Sequence, residues 1–88
     1  MPDLDSVIEY PLPFPIKVMG LNRPEFRPAM VALFRRHAPD LDEGTIEVRE
    51  SREAKYLSLT ITIDAKSREQ LDALYGELSD HPMVTMAL

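Results

Sequence analysis

From residue 57 to residue 63, apolar and hydroxyl side chains alternate without a break. Leu57, Leu59, Ile61 and Ile63 share one parity, and Ser58, Thr60 and Thr62 the other. A period of two sets one group against a core and the other on an open face, which predicts a half-buried strand. Ile16-Lys17-Val18-Met19 alternates in the same way and stops at Gly20, with Ile16 and Val18 toward the core. Pro11, Pro13 and Pro15 ahead of it force extended chain. They suit the start or the edge of a strand, where a missing N–H does no harm. Ile46 and Val48 alternate with Glu47 and Arg49 as a further strand, and Val84, Met86 and Leu88 alternate as a last one.

Two stretches follow a helical period instead. Phe26, Met30, Leu33, Phe34 and His37 fall at i, i+4, i+7, i+8 and i+11 behind Pro24, which suits a first helical position. Pro28 would remove a backbone bond early in this helix, which predicts an irregular first turn and a regular helix beginning later. Leu71, Leu74, Tyr75 and Leu78 fall at i, i+3, i+4 and i+7, and Ser67 with Gln70 ahead of them forms a capping box. The order is β-α-β-β-α-β. Right-handed crossovers then select an α+β, ferredoxin-like fold: a four-stranded antiparallel sheet with two helices packed on one face. Residues 1–10 show no period and are expected to be a mobile leader, with residues 11–88 as the single domain.

Composition narrows the picture. A chain of 88 residues is one domain, and a domain of that size buries only about 60–65% of its unfolded surface. There is no cysteine, so disulfides and thiolate metal sites are excluded. The acidic start, Met1 to Asp5, is no signal peptide, and no apolar run nears the roughly 20 residues that span a bilayer. A cytoplasmic protein with no membrane partner is the expectation. The formal charge of −5 has the wrong sign for a nucleic-acid binder.

Four residues suggest an anion site after the first strand. Gly20, Asn22, Arg23 and Arg27 surround a helix N-terminus, where free N–H groups and the dipole favour negative charge. The plainer alternative is a turn carrying two solvated arginines, since no phosphate-loop spacing is present. The hydroxyl face offers a partner surface of Lys17, Met19, Ser58, Thr60, Thr62 and Thr85, weighed against an ordinary solvated sheet. It lacks the stacking aromatics of an RNA-binding sheet. His37 fits the end of the first helix as a cap, and His81 an exposed turn. Asp40, Asp42 and Glu43 lack calcium-loop spacing and read as a solvated acidic loop. No catalytic set, metal site or cofactor site emerges.

Several stretches together resemble the YbeD-like family of small bacterial proteins. They are Tyr10 to Gly20 (YPLPFPIKVMG), Arg36 to Pro39 (RHAP), Tyr56 to Ala65 (YLSLTITIDA), Leu74 to Leu78 (LYGEL) and Val84 to Leu88 (VTMAL). The resemblance runs from about residue 8 to the end. Pro28 departs from it, where a helix-compatible residue is usual. The resemblance implies a ferredoxin-like fold similar to ACT-type regulatory domains, with effectors bound near the loop after the first strand, and an accessory link to lipoate metabolism. A non-enzymatic regulatory or adaptor domain is expected, acting as a homodimer or with a metabolic enzyme and sensing a small acidic effector. Pairing of two copies along the unguarded last strand is the specific form of dimer expected. The alternative is an enzyme subunit or small-anion-binding protein whose site forms between chains at the same loop.

Overall fold

The computed structural model describes residues 9–88. Its elements are β1 (Leu12–Leu21), α1 (Phe26–His37), β2 (Glu47–Glu50), β3 (Tyr56–Ala65), α2 (Arg68–Asp80) and β4 (Met86–Ala87). The four strands form one antiparallel sheet in the order β2-β3-β1-β4. This is the ferredoxin-like βαββαβ arrangement that the periodicity predicts, with both helices on one face. Residues 1–8 of the expected leader lie outside the described residues, and Tyr10 packs, half-buried, against the core.

The core follows from the two central strands. Ile16 pairs with Ile61 and Val18 with Leu59, so four apolar side chains stand under the helices. Phe26, Met30 and Phe34 of α1 and Leu74 and Leu78 of α2 close over them, each at most 1% exposed. Burying side chains of this size contributes about 1.5–3 kcal/mol each, which explains how so short a chain folds without disulfides.

Three local expectations need correction. First, β1 is ten residues long and takes the prolines inside it. Lys17 donates its N–H to Leu88 O at 3.0 Å, so Pro15 and Pro13, two and four residues earlier, have the same edge orientation. β4 pairs only with Val18 and Met19, and nothing among the described residues needs a donor from those prolines. Second, α1 begins at Phe26, ahead of Pro28 and not after it. Pro28 is its third residue, where the N–H has no intrahelical acceptor to lose. Third, Val84, Met86 and Leu88 do not share a face. Val84 packs on the core, whereas Met86 and Leu88 are 51% and 67% exposed.

The helices are tied end to end. Ser67 Oγ accepts from the Gln70 N–H at 3.1 Å, and Gln70 Oε1 accepts from the Lys66 N–H at 2.6 Å. The reciprocal bond of the capping box thus lands one residue early. Gln70 Nε2 reaches across to donate to His37 O at 2.6 Å, capping the last turn of α1. Beside it, Arg36 Nη2 donates to Glu77 Oε2 at 2.6 Å. His37 Nε2 lies 3.1 Å from the same oxygen without hydrogen-bond alignment. Arg36 first, and His37 second, hold the Glu77 carboxyl below its ordinary 4.5.

Gly20 is fixed by close approach. A Cβ there would lie 2.3 Å from Met83 O and 2.5 Å from the Phe26 ring. The carbonyl is backbone and cannot turn aside. Gly20→Ala should therefore cost about 1–3 kcal/mol as overpacking, and lower the thermal midpoint by roughly 4–8 °C for each kcal/mol. Calorimetry checks this, and an unchanged midpoint would refute the close approach. Glu77 gives a pH-dependent expectation. Its lowered pKa stabilises the fold at pH well above 4.5, and the benefit fades as pH falls through the folded-state value. Glu77→Gln should be less stable than the parent at neutral pH, and the gap should narrow as pH falls below 4.5, as a series of urea midpoints taken downward from pH 7 will read.

Candidate functional site

Two loops meet at the end of the sheet where β1 leaves and β4 enters. The first, Asn22 to Glu25, is held from two sides. Asn22 donates its N–H to Lys55 O at 3.0 Å and its side-chain Nδ2 to Ala54 O at 3.0 Å, so it clamps the β2–β3 connection. Arg23 O accepts from the Phe26 N–H at 3.1 Å and turns the chain into α1. The second loop, His81 to Val84, is closed by its own bonds. His81 Nδ1 accepts from the Met83 N–H at 3.1 Å, and His81 O accepts from the Val84 N–H at 3.1 Å. Thr85 then donates both its N–H and its hydroxyl to Met19 O, at 2.8 and 3.0 Å, and seats the chain against β1.

Between these loops lies a cleft of about 430 Å³ lined by Leu21, Arg23, Glu25, Phe26, Pro82, Met83 and Thr85. That volume falls in the range of small-molecule sites. Its walls are apolar, and Arg23 and Glu25 bring one charge of each sign. The lack of a side chain at Gly20 lets Phe26 and Met83 come together behind it.

The four residues of the sequence-derived anion site have separate positions. Arg23 lines the cleft. Asn22 is engaged with Ala54. Gly20 is buried under Phe26 and Met83. Arg27 is exposed and lies outside the cleft lining. The start of α1 has few donors to add. The Phe26 and Ala29 N–H groups bond to Arg23 O and Glu25 O, and Pro28 has none.

The open sheet face brings together five of its six expected residues. Register sets Lys17 beside Thr60, Met19 beside Ser58 and Pro15 beside Thr62. Thr85 belongs with the cleft and spends its hydroxyl on Met19 O. Residues that periodicity did not single out complete this face. Glu47 and Arg49 of β2 flank Thr60 and Ser58, and Met86 flanks Met19. A shallow hollow of about 400 Å³ lies among Lys17, Glu47, Arg49, Ser58 and Thr60.

His37 sits at the α1 C-terminus, as its position in the sequence predicts, and His81 belongs to the turn before β4. Asp42 Oδ1 accepts from the Gly44 N–H at 2.9 Å, so one acidic residue of that loop serves its own turn. Glu43 and Asp40 stand 3.8 Å from Arg35 and 3.9 Å from Lys66 as exposed pairs. Among the described residues no group of three or more His, Asp or Glu side chains is placed to hold a metal ion. No helix among them is long and apolar enough to cross a membrane.

Comparison with known proteins finds relatives along almost the whole chain. Residues 5–88 match the family described as "Protein of unknown function (DUF493)". A UPF0250 protein of Nitrosomonas europaea is 55% identical over 84 residues, covering 96% of this chain and 97% of its own. A UPF0250 protein of Janthinobacterium is 54% identical over 84 residues, covering 96% of this chain and 92% of its own. One from Bordetella pertussis is 47% identical over 88 residues, covering all of this chain and 97% of its own. The chain belongs to the DUF493 (UPF0250) family of small bacterial proteins, the YbeD-like family that its motifs resemble.

Proposed function

We propose that this protein is a non-catalytic regulatory domain of the cytoplasm that binds a small monocarboxylic acid in the cleft beside Arg23. The observation that carries the reading is the cleft itself, with apolar walls of Leu21, Phe26, Pro82 and Met83 and a guanidinium at the lip. Arg presents a planar fork that matches a carboxylate, and the pairing strengthens as the acid's apolar body excludes water. Glu25 on the same cleft lowers its net charge. A singly charged acid therefore matches it better than a phosphate, whose second charge would face the Glu25 carboxylate.

The acid's chain would lie along Phe26 and Met83, which also pack behind Gly20. Occupancy would then stiffen the junction of β1, α1 and β4, and a metabolic enzyme could read that change as a signal. An accessory place in lipoate metabolism, implied by the family resemblance, is compatible with this ligand class. Octanoate and lipoate are both single carboxylates on apolar chains.

Thermal unfolding in the presence of octanoate, lipoate, apolar amino acids and inorganic phosphate tests the reading. A ligand at 100 times its dissociation constant adds about 2.7 kcal/mol, which should raise the midpoint by roughly 10 °C or more in a domain of this size. The expected result is a shift with a monocarboxylic acid, none with phosphate, and loss of the shift in Arg23→Ala. Arg23 is exposed, so this variant should fold normally. An acid-induced shift that survives Arg23→Ala, or no shift with any acid, would overturn the assignment.

A further inference from the structure

The open face of the sheet carries two adjacent rows of side chains. Glu47, Thr60 and Lys17 are register partners, and Leu88 joins them through paired backbone bonds with Lys17 at 2.8 and 3.0 Å. Two residues along, Arg49, Ser58, Met19 and Met86 form the second row. Each row runs from a charge on β2, across a hydroxyl on β3, to Lys17 or Met19 on β1 and an apolar side chain beyond it. The β2 charges are opposite in sign.

We infer that this face binds a second copy of the same chain, face to face, about a twofold axis that runs across the strands between the two rows. That rotation lays each row on the other row of the partner. Glu47 then meets the partner's Arg49, and Arg49 the partner's Glu47. Thr60 meets the partner's Ser58, which is only 8% exposed in one copy, Leu88 meets the partner's Met86, and Lys17 lies along the partner's Met19. Packed sheets stand about 10 Å apart, which a glutamate and an arginine span together. A twofold axis along the strands would instead set Glu47 on the partner's Leu88 and Arg49 on the partner's Met86. The first orientation sets one charge per copy against apolar surface, Lys17 with its aliphatic stem along the partner's Met19, and the second sets two, which selects the first.

The next rows continue the match. The same axis brings Tyr56 onto the partner's Thr62, both uncharged and half-buried in one copy. The apolar contribution comes from Met19, Met86 and Leu88, of which Met86 and Leu88 are more than half exposed. Edge pairing along β4 is the weaker arrangement, because β4 offers only two residues. The face is small: four rows on the central strands and two on the outer ones give a footprint of roughly 400 Å². That is below the ~800 Å² per partner of a standard stable interface, so the dimer should be concentration-dependent.

Sedimentation velocity on the full chain, from about 10 μM to about 1 mM, tests this across the range where an interface of this size self-associates. The parent should shift from one chain to two as concentration rises. Glu47→Arg and Arg49→Glu should each abolish the shift, since each places like charges opposite one another twice. An equimolar mixture of the two variants should recover it, because Arg at 47 of one meets Glu at 49 of the other. The combined swap in one chain should recover it too. Both positions are exposed on an edge strand, and unchanged thermal midpoints will show that the variants fold. A parent that stays monomeric to the top concentration overturns the inference. So does a dimer that the single variants leave intact, which would assign association to another surface. Neither result touches the cleft at Arg23.

Discussion

Ten consecutive residue pairs join β1 to β3, from Leu12 with Ala65 to Leu21 with Tyr56, and the remaining structure takes its position from that register. It sets the even residues of β1 and the odd residues of β3 beneath the helices. A slip of one residue in β1 would bring Lys17 into the core and turn Ile16 and Val18 out to water. The same pairing brings the end of β1 to the start of β3, where Asn22 reaches Lys55 and Ala54. It also places Gly20 where Phe26 and Met83 converge. Cleft and open face are therefore consequences of one register, seen at the end of the sheet and on its far side.

Elements whose cause is local were legible in the sequence. β3 and α2 carry their period and their cap within a dozen residues, and both stand where the pattern predicts. What was hidden depends on neighbours. Prolines are excluded from strands because of a missing donor, yet Pro13 and Pro15 lie in a ten-residue strand since β4 stops short of them. Only the sheet order reveals that. Val48 alternates like a core residue but is 47% exposed, because β2 lies at the sheet edge beyond the helices' cover. β4 hides its face for another reason. The Thr85 and Leu88 N–H groups both bond toward β1 although they are three positions apart. Regular alternation gives an even spacing, so the strand carries one extra residue, as in a bulge. That turns Met86 and Leu88 outward.

The candidate sites divide along the same line. Arg23 was visible as a charged residue beside a turn, whereas the apolar wall it shares with Met83 joins positions sixty residues apart. Asn22 has the chemistry of a ligand donor, but its amide is bound to Ala54 O, in a connection where Glu53 and Ala54 both take positive φ. Asn22 thus helps hold a strained turn that few side chains adopt readily. Gly20 did carry a signal. A glycine that ends a strand asks what comes close, and the answer is a carbonyl from the far end of the chain.

Each free edge of this sheet is closed by a different device. β2 is charged at Glu47, Arg49 and Glu50, β1 presents prolines beyond the reach of β4, and β4 is two residues long. All three are ways of denying a partner strand its backbone bonds. The two most exposed large apolar side chains among the described residues, Met86 and Leu88, meanwhile stand on the sheet's open face, beside half-buried Met19. These devices disfavour generic strand addition, which depends on main-chain groups and tolerates many sequences. A partner on the open face would be read through side chains, row by row, and two rows with opposite charges at the same edge give a copy of this chain the complementarity that the proposed dimer uses.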